Sequence, residues 1–184
     1  MRAIDHREVP APIRFQRFFL RLGLDEAALP AGLAQALLDA HRGALGRAAE
    51  FPAHHGPLLR SLAGRYRLAV VSNFDYTPTA MDILERAGVT GLFAAVIVSD
   101  AIGWRKPRRE IFDAALQRLG VGPGEALFVG DRADMDVLGA QRIGMDAAWI
   151  NRDAEPLPTG VAQPTYEIRD LAELASILKV GSSI

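Results

Sequence analysis

Leu68-Ala69-Val70-Val71-Ser72-Asn73-Phe74-Asp75 is the stretch whose reading decides the fold. Four apolar residues with no polar interruption are the pattern of a strand buried on both faces, as in a parallel sheet. The run ends on a hydroxyl and an amide, where the chain must turn. Toward the C-terminus the pattern returns three times. A helix over residues 78–87 leads to a strand over 95–98, a helix over 109–119 to a strand over 126–129, and a helix over 135–143 to a strand over 147–150. Helices and strands alternating at this spacing predict an α/β fold, a doubly wound Rossmann-like parallel sheet. A Pro-rich surface loop over 153–163 and a closing helix over 171–178 complete this half.

Toward the N-terminus the pattern is helical. Ile13, Phe15, Phe18, Phe19 and Leu22 fall at helical spacing over residues 12–22, with Arg14, Arg17 and Arg21 between them and Gly23 placed as the cap. The aromatic stripe reads first as packing. Further helices are expected over 33–45 and 58–62. At 184 residues, 49% hydrophobic and 23% charged, the chain is long enough for one compact core with a small appended subdomain. It has no cysteine, which removes thiol nucleophiles, disulfides and zinc-thiolate sites. A formal net charge of −1 gives no electrostatic case for nucleic acid or an anionic membrane. No apolar run reaches the length of a membrane span, and the first residues do not read as a signal peptide, so a cytoplasmic protein is expected.

In open α/β sheets ligands bind beyond the carboxyl ends of the strands. Ser72, Asn73 and Asp75 follow the first strand, Ser99, Asp100 and Lys106 the second, Asp131, Asp134 and Asp136 the third, and Asn151 and Asp153 the fourth. Ser72 and the N–H groups after it can donate to an anionic oxygen. Lys106 offers a point charge to a phosphoryl group; it and Lys179 are the only lysines in the chain. Asp131 and Asp136 are hard oxygen ligands suited to Mg²⁺. Taken singly, each has a plainer reading: Ser-Asn as a turn, the two carboxylates as helix caps. His54 and His55 read as solvated loop residues with no carboxylate partner in view. The ordered set, each member at a strand end, favours a phosphate site with a divalent metal.

The same residues carry a family resemblance. The strand ending at Ser72-Asn73 resembles motif II of the haloacid dehalogenase-like (HAD) hydrolases. Gly103-Trp104-Arg105-Lys106-Pro107 resembles motif III, and Gly130-Asp131 followed by Asp136 resembles motif IV. The likeness covers residues 51–151 in order and spacing. It implies a HAD-like core over 51–184 and a partial helical cap over 1–50. It also implies Lys106 and Asp131 as catalytic residues, Ser72, Asn73 and Lys106 as phosphate-binding residues, and Asp131 and Asp136 as ligands of Mg²⁺. In this family the first aspartate of a DxDx[TV] motif is the nucleophile. No DxD follows an apolar strand before Ser72, and Asp5 has neither a strand before it nor a carboxylate two residues on. The resemblance therefore implies an N-terminally truncated form without the usual central strand, binding Mg²⁺ weakly. Two readings follow: a Mg²⁺-dependent hydrolase of small phosphorylated or otherwise anionic substrates, or a non-catalytic HAD-fold protein that binds phospho-ligands or partner proteins. With the central strand missing, either the strands ending at Val71 and Val129 pair directly, or a homodimer covers the gap. The dimer is the expectation, because the incomplete cap also leaves Phe15, Phe18, Phe19 and Leu22 short of partners.

Overall fold

The computed structural model describes residues 5–24 and 29–180. The elements run α1 (Ala11–Arg21), α2 (Leu33–Ala48), α3 (His55–Ala63), β1 (Leu68–Ser72), α4 (Thr77–Arg86), β2 (Phe93–Val98), α5 (Ser99–Ile102), α6 (Arg109–Leu119), β3 (Leu127–Gly130), α7 (Leu138–Arg142), β4 (Asp146–Ile150), β5 (Tyr166–Ile168) and α8 (Leu174–Ile177). The alternation expected from residue 68 onward is present, and every strand pair is parallel. Gly23 ends the first helix with φ 73°, the left-handed conformation that glycine adopts without a Cβ penalty.

The strands form two groups. β1 pairs with β2, and β3 pairs with β4, which pairs with β5. Direct pairing of β1 with β3, one of the two outcomes expected for a missing strand, does not occur among the described residues. Side chains join the groups instead. One buried cluster contains Ile97 of β2, Ile111, Phe112 and Leu116 of α6, Phe128 of β3 and Trp149 of β4. The Phe112 and Phe128 rings lie 4.9 Å apart and tilted, a favourable aromatic arrangement. α6 thus holds both strand groups under one core. α3 packs between β1 and the C-terminal segment, with Leu58 and Leu62 among Leu68, Leu171, Ala175 and Val180.

The N-terminal helices attach through a smaller cluster. Ala11, Leu38 and Tyr76 are buried there, with Phe15, Leu45 and Phe74 against them. Phe19 is also buried, whereas Phe18, Leu20 and Leu22 are exposed, so only one edge of the aromatic stripe is used. Asp100 caps α4 from outside: its Oδ2 accepts the Thr77 N–H at 3.1 Å and the Thr77 hydroxyl at 3.0 Å. None of the described helices is long and apolar enough to cross a membrane.

Four elements differ from expectation, one being the short α5 over Ser99–Ile102, where only strand-end residues are expected. The helix over 135–143 is instead a wide π-type turn, Ala133–Val137, running into the short α7. β5 was not expected: it has three residues, two of them exposed, too few for an alternating pattern to register. The closing helix starts as a 3-10 turn, Leu171–Glu173, capped by Asp170.

α7 packs so closely on the core that a side chain at Gly139 has no room. A Cβ there would stand 2.4 Å from Phe112 Cζ and 3.1 Å from Pro107 Cα. Helix propensity alone favours alanine over glycine by about 1 kcal/mol. Overpacking against a fixed ring costs about 1–3 kcal/mol. Gly139→Ala is therefore expected to lower the denaturation midpoint; a midpoint at or above that of the parent chain would show that this contact is loose.

Candidate functional site

β1 and β3 belong to separate strand groups, and one lysine connects them in space. Lys106 sits in the loop between α5 and α6. Its ammonium donates to the Val71 carbonyl oxygen at 2.9 Å and lies 2.8 Å from Asp136 Oδ1. It also stands 5.3 Å from the centre of the Phe128 ring. Val71 belongs to β1 and Phe128 to β3, so the ammonium bridges the two strand groups. Only 12% of the Lys106 side chain and 4% of the Asp136 side chain are exposed. At that burial the pair is weakly screened by salt.

Asn73 fixes the loop from below. Its Oδ1 accepts the Lys106 N–H at 2.7 Å, and its Nδ2 donates to the Lys106 carbonyl oxygen at 3.2 Å. The Asn73 side chain thus holds both polar groups of the Lys106 backbone. Ser72 is the last residue of β1, in register with Val98 and one residue beyond the carbonyl that Lys106 uses.

Asp136 is placed by the π-type turn. Its Oδ2 accepts the Arg132 N–H at 3.0 Å. The carboxylate lies so close over Gly130 that a Cβ at that glycine would come within 2.2 Å of Oδ2. Glycine before Asp131 is thus a steric requirement of the site. Asp131 follows β3 and is exposed, while its carbonyl oxygen accepts the Trp149 indole N–H at 3.0 Å. Asp134 turns outward and binds the Arg132 guanidinium at 2.8 and 3.0 Å, which holds that proton more tightly than usual.

The other strand-end residues serve the scaffold. Ser99 is fully buried; its hydroxyl accepts the Phe74 N–H at 3.0 Å and contacts the Glu8 carboxylate. Glu8 takes two bonds from Arg105 Nη1, at 3.0 and 2.9 Å, and its N–H donates to the Gly103 carbonyl oxygen at 2.9 Å. Arg105 and Arg14 also reach Asp75. The N-terminal strip is thereby sewn to the loop that carries Lys106. Asp5 lies at the surface, where its carboxylate accepts the Arg7 N–H at 3.0 Å and faces the Arg7 guanidinium at 3.9 Å; residues 1–4 before it lie outside the described residues. Asn151 is buried and bonded to Glu155 and Glu167.

The residues present fit a divalent cation. Asp136 Oδ1 is buried and has no aligned hydrogen-bond donor among the described residues, its lysine contact being a charge contact. Asp131, directly after β3, adds an exposed carboxylate five residues earlier in the same segment. Hard oxygen donors of this kind suit Mg²⁺, which keeps several of its waters.

A family model described as haloacid dehalogenase-like hydrolase matches residues 8–144. Pyrimidine 5′-nucleotidase YjjG of Escherichia coli is 32% identical over 122 residues, which cover 66% of this chain and 53% of the relative. Glyceraldehyde 3-phosphate phosphatase of Methanopyrus kandleri is 41% identical over 100 residues, 52% of this chain and 42% of the relative. The chain spans about half the length of the curated relatives it matches. Among solved structures, the HAD-hydrolase YfnB of Bacillus subtilis, solved bound to magnesium, superposes with a TM-score of 0.72 at 26% identity, covering 92% of this chain and 70% of that one. With a matching model over most of its length and a lysine–carboxylate pair at the strand ends, this chain belongs to the haloacid dehalogenase-like hydrolases.

Proposed function

We propose that this chain hydrolyses small phosphate esters with Mg²⁺ at the carboxyl ends of β1 and β3. The observation that carries the reading is the Lys106 ammonium, held 2.8 Å from Asp136 at a strand end of a HAD-like hydrolase. Phosphatases among the relatives support the substrate class.

Each residue has a role that its position allows. Lys106 offers positive charge to a phosphoryl oxygen, and its fixed place means little reorganisation as charge builds in the transition state. The Ser72 hydroxyl and the Asn73 N–H donate to further phosphoryl oxygens, while the Asn73 side chain positions Lys106. Asp131 and Asp136 would hold Mg²⁺, which when bound neutralises charge on the transferring group and acidifies water. α1 and α2, within residues 1–50, act as a helical cap that screens substrates.

A second reading, a phospho-ligand-binding protein of the same fold, is favoured by one observation. The Lys106 ammonium at the strand ends would hold a phosphate group whether or not its ester is hydrolysed.

An aryl-phosphate assay separates the two. On the hydrolase reading, turnover requires Mg²⁺ and falls at least about tenfold in Asp131→Asn, a loss of roughly 1.4 kcal/mol or more. Lys106→Ala lowers it as well. Activity unchanged in both variants would contradict the assignment. A folded chain with no turnover that still binds inorganic phosphate would favour the second reading.

Asn73→Ala tests the positioning role. It leaves the part-buried Lys106 N–H without its acceptor, which costs about 1–3 kcal/mol of stability. The expected kinetic signature is a lower kcat with a smaller change in KM, since Lys106 remains present but less fixed. An unchanged kcat would show that Asn73 serves stability alone.

A further inference from the structure

His54, His55 and Asp170 are brought together among the described residues. His54 precedes α3, His55 is its first residue, and Asp170 follows β5. Their ligand-capable atoms all lie within 4.8 Å of one another. His54 Nε2 is 3.3 Å from both Asp170 oxygens, and His55 Nε2 is 3.4 Å from Oδ1. The two imidazoles are edge to face with centroids 4.2 Å apart.

These distances are long for hydrogen bonds between a ring nitrogen and a carboxylate. The two nitrogen–oxygen separations match edges of a coordination tetrahedron, and the three ligand groups lie within 4.8 Å of one another. Metal–ligand bonds of about 2.0–2.1 Å place tetrahedral ligand atoms roughly 3.3–3.4 Å apart. We propose that His54, His55 and Asp170 form a second metal site, for a borderline transition-metal ion such as Zn²⁺, separate from the oxygen-ligand pair Asp131 and Asp136. Two imidazoles and one carboxylate are a donor set that zinc accepts and Mg²⁺ does not prefer.

The ligands are unequally prepared. The His55 side chain is 8% exposed and its ring lies against Phe51, so its direction is fixed by packing. Asp170 is held by its capping role, with Oδ1 accepting the Ala172 N–H at 2.8 Å. His54, with a side chain 59% exposed, is free to close the set. Three protein ligands leave a coordination position for water. A bound ion would tie the start of α3 to the turn after β5.

Zn²⁺ titrated into the chain, purified without a histidine tag and with Mg²⁺ present in excess, tests the site. The expected result is one Zn²⁺ per chain by calorimetry, with affinity at least about tenfold weaker in His54→Ala and in Asp170→Asn, and a rise in Tm on zinc addition that His54→Ala abolishes. His54 is on the surface, and asparagine keeps a cap acceptor at position 170, so both variants should fold. X-ray absorption of the zinc-loaded chain should count two imidazoles. Absence of binding, equal affinity in His54→Ala, or a histidine count other than two would overturn the proposal.

Discussion

The ammonium of Lys106 is the point on which both the site and the join between the strand groups depend. It takes the Val71 carbonyl oxygen of β1 on one side and faces the Asp136 carboxylate, seated over Gly130 of β3, on the other. A lysine and a carboxylate this deeply buried carry a desolvation cost of several kcal/mol each, which only close mutual contact and further hydrogen bonds offset. The structure supplies those bonds. The Arg132 N–H binds the second Asp136 oxygen, Asn73 grips the lysine backbone on both its polar groups, and the Phe128 ring lies beneath the ammonium.

Much of the surrounding sequence follows from that one contact. Gly130 is required because the carboxylate fills the space where a Cβ would stand, and Gly139 because α7 presses onto Phe112 and Pro107. Phe112 in turn packs on Phe128, so the aromatic pair that unites the strand groups also supports the floor of the charged pair. On the other side, Glu8, Arg105 and Ser99 lock the N-terminal strip to the Lys106 loop. Packing and chemistry therefore share residues, and a loosened core would be felt at the strand ends.

What the sequence disclosed was what it encodes locally. Apolar runs ending in Ser72 and Gly130 located two strand ends, and the rule that ligands gather there brought Lys106 and Asp136 together before any coordinates did. The π-type turn at Ala133–Val137 was hidden because its composition reads as ordinary helix. The hold of the Asn73 side chain on Lys106 leaves no local signal, because its partner is a backbone 33 residues away. His54 and His55 looked solvated for the same reason: their carboxylate, Asp170, lies more than a hundred residues along the chain. Glu8, with a side chain only 2% exposed, likewise carries no local sign of its burial. Long-range polar pairs leave no periodicity to read, whereas strands and helices do.

A double-mutant cycle on Lys106→Met and Asp136→Asn, read by chemical denaturation, reaches the central contact most directly. If the two groups hold each other as described, each single change leaves a buried group without its counter-charge and is strongly destabilising. The double change then costs less than the sum of the singles, with a coupling energy of about 0.5–3 kcal/mol. Strictly additive losses would mean that Lys106 and Asp136 do not depend on one another, and the account built on their contact would fail.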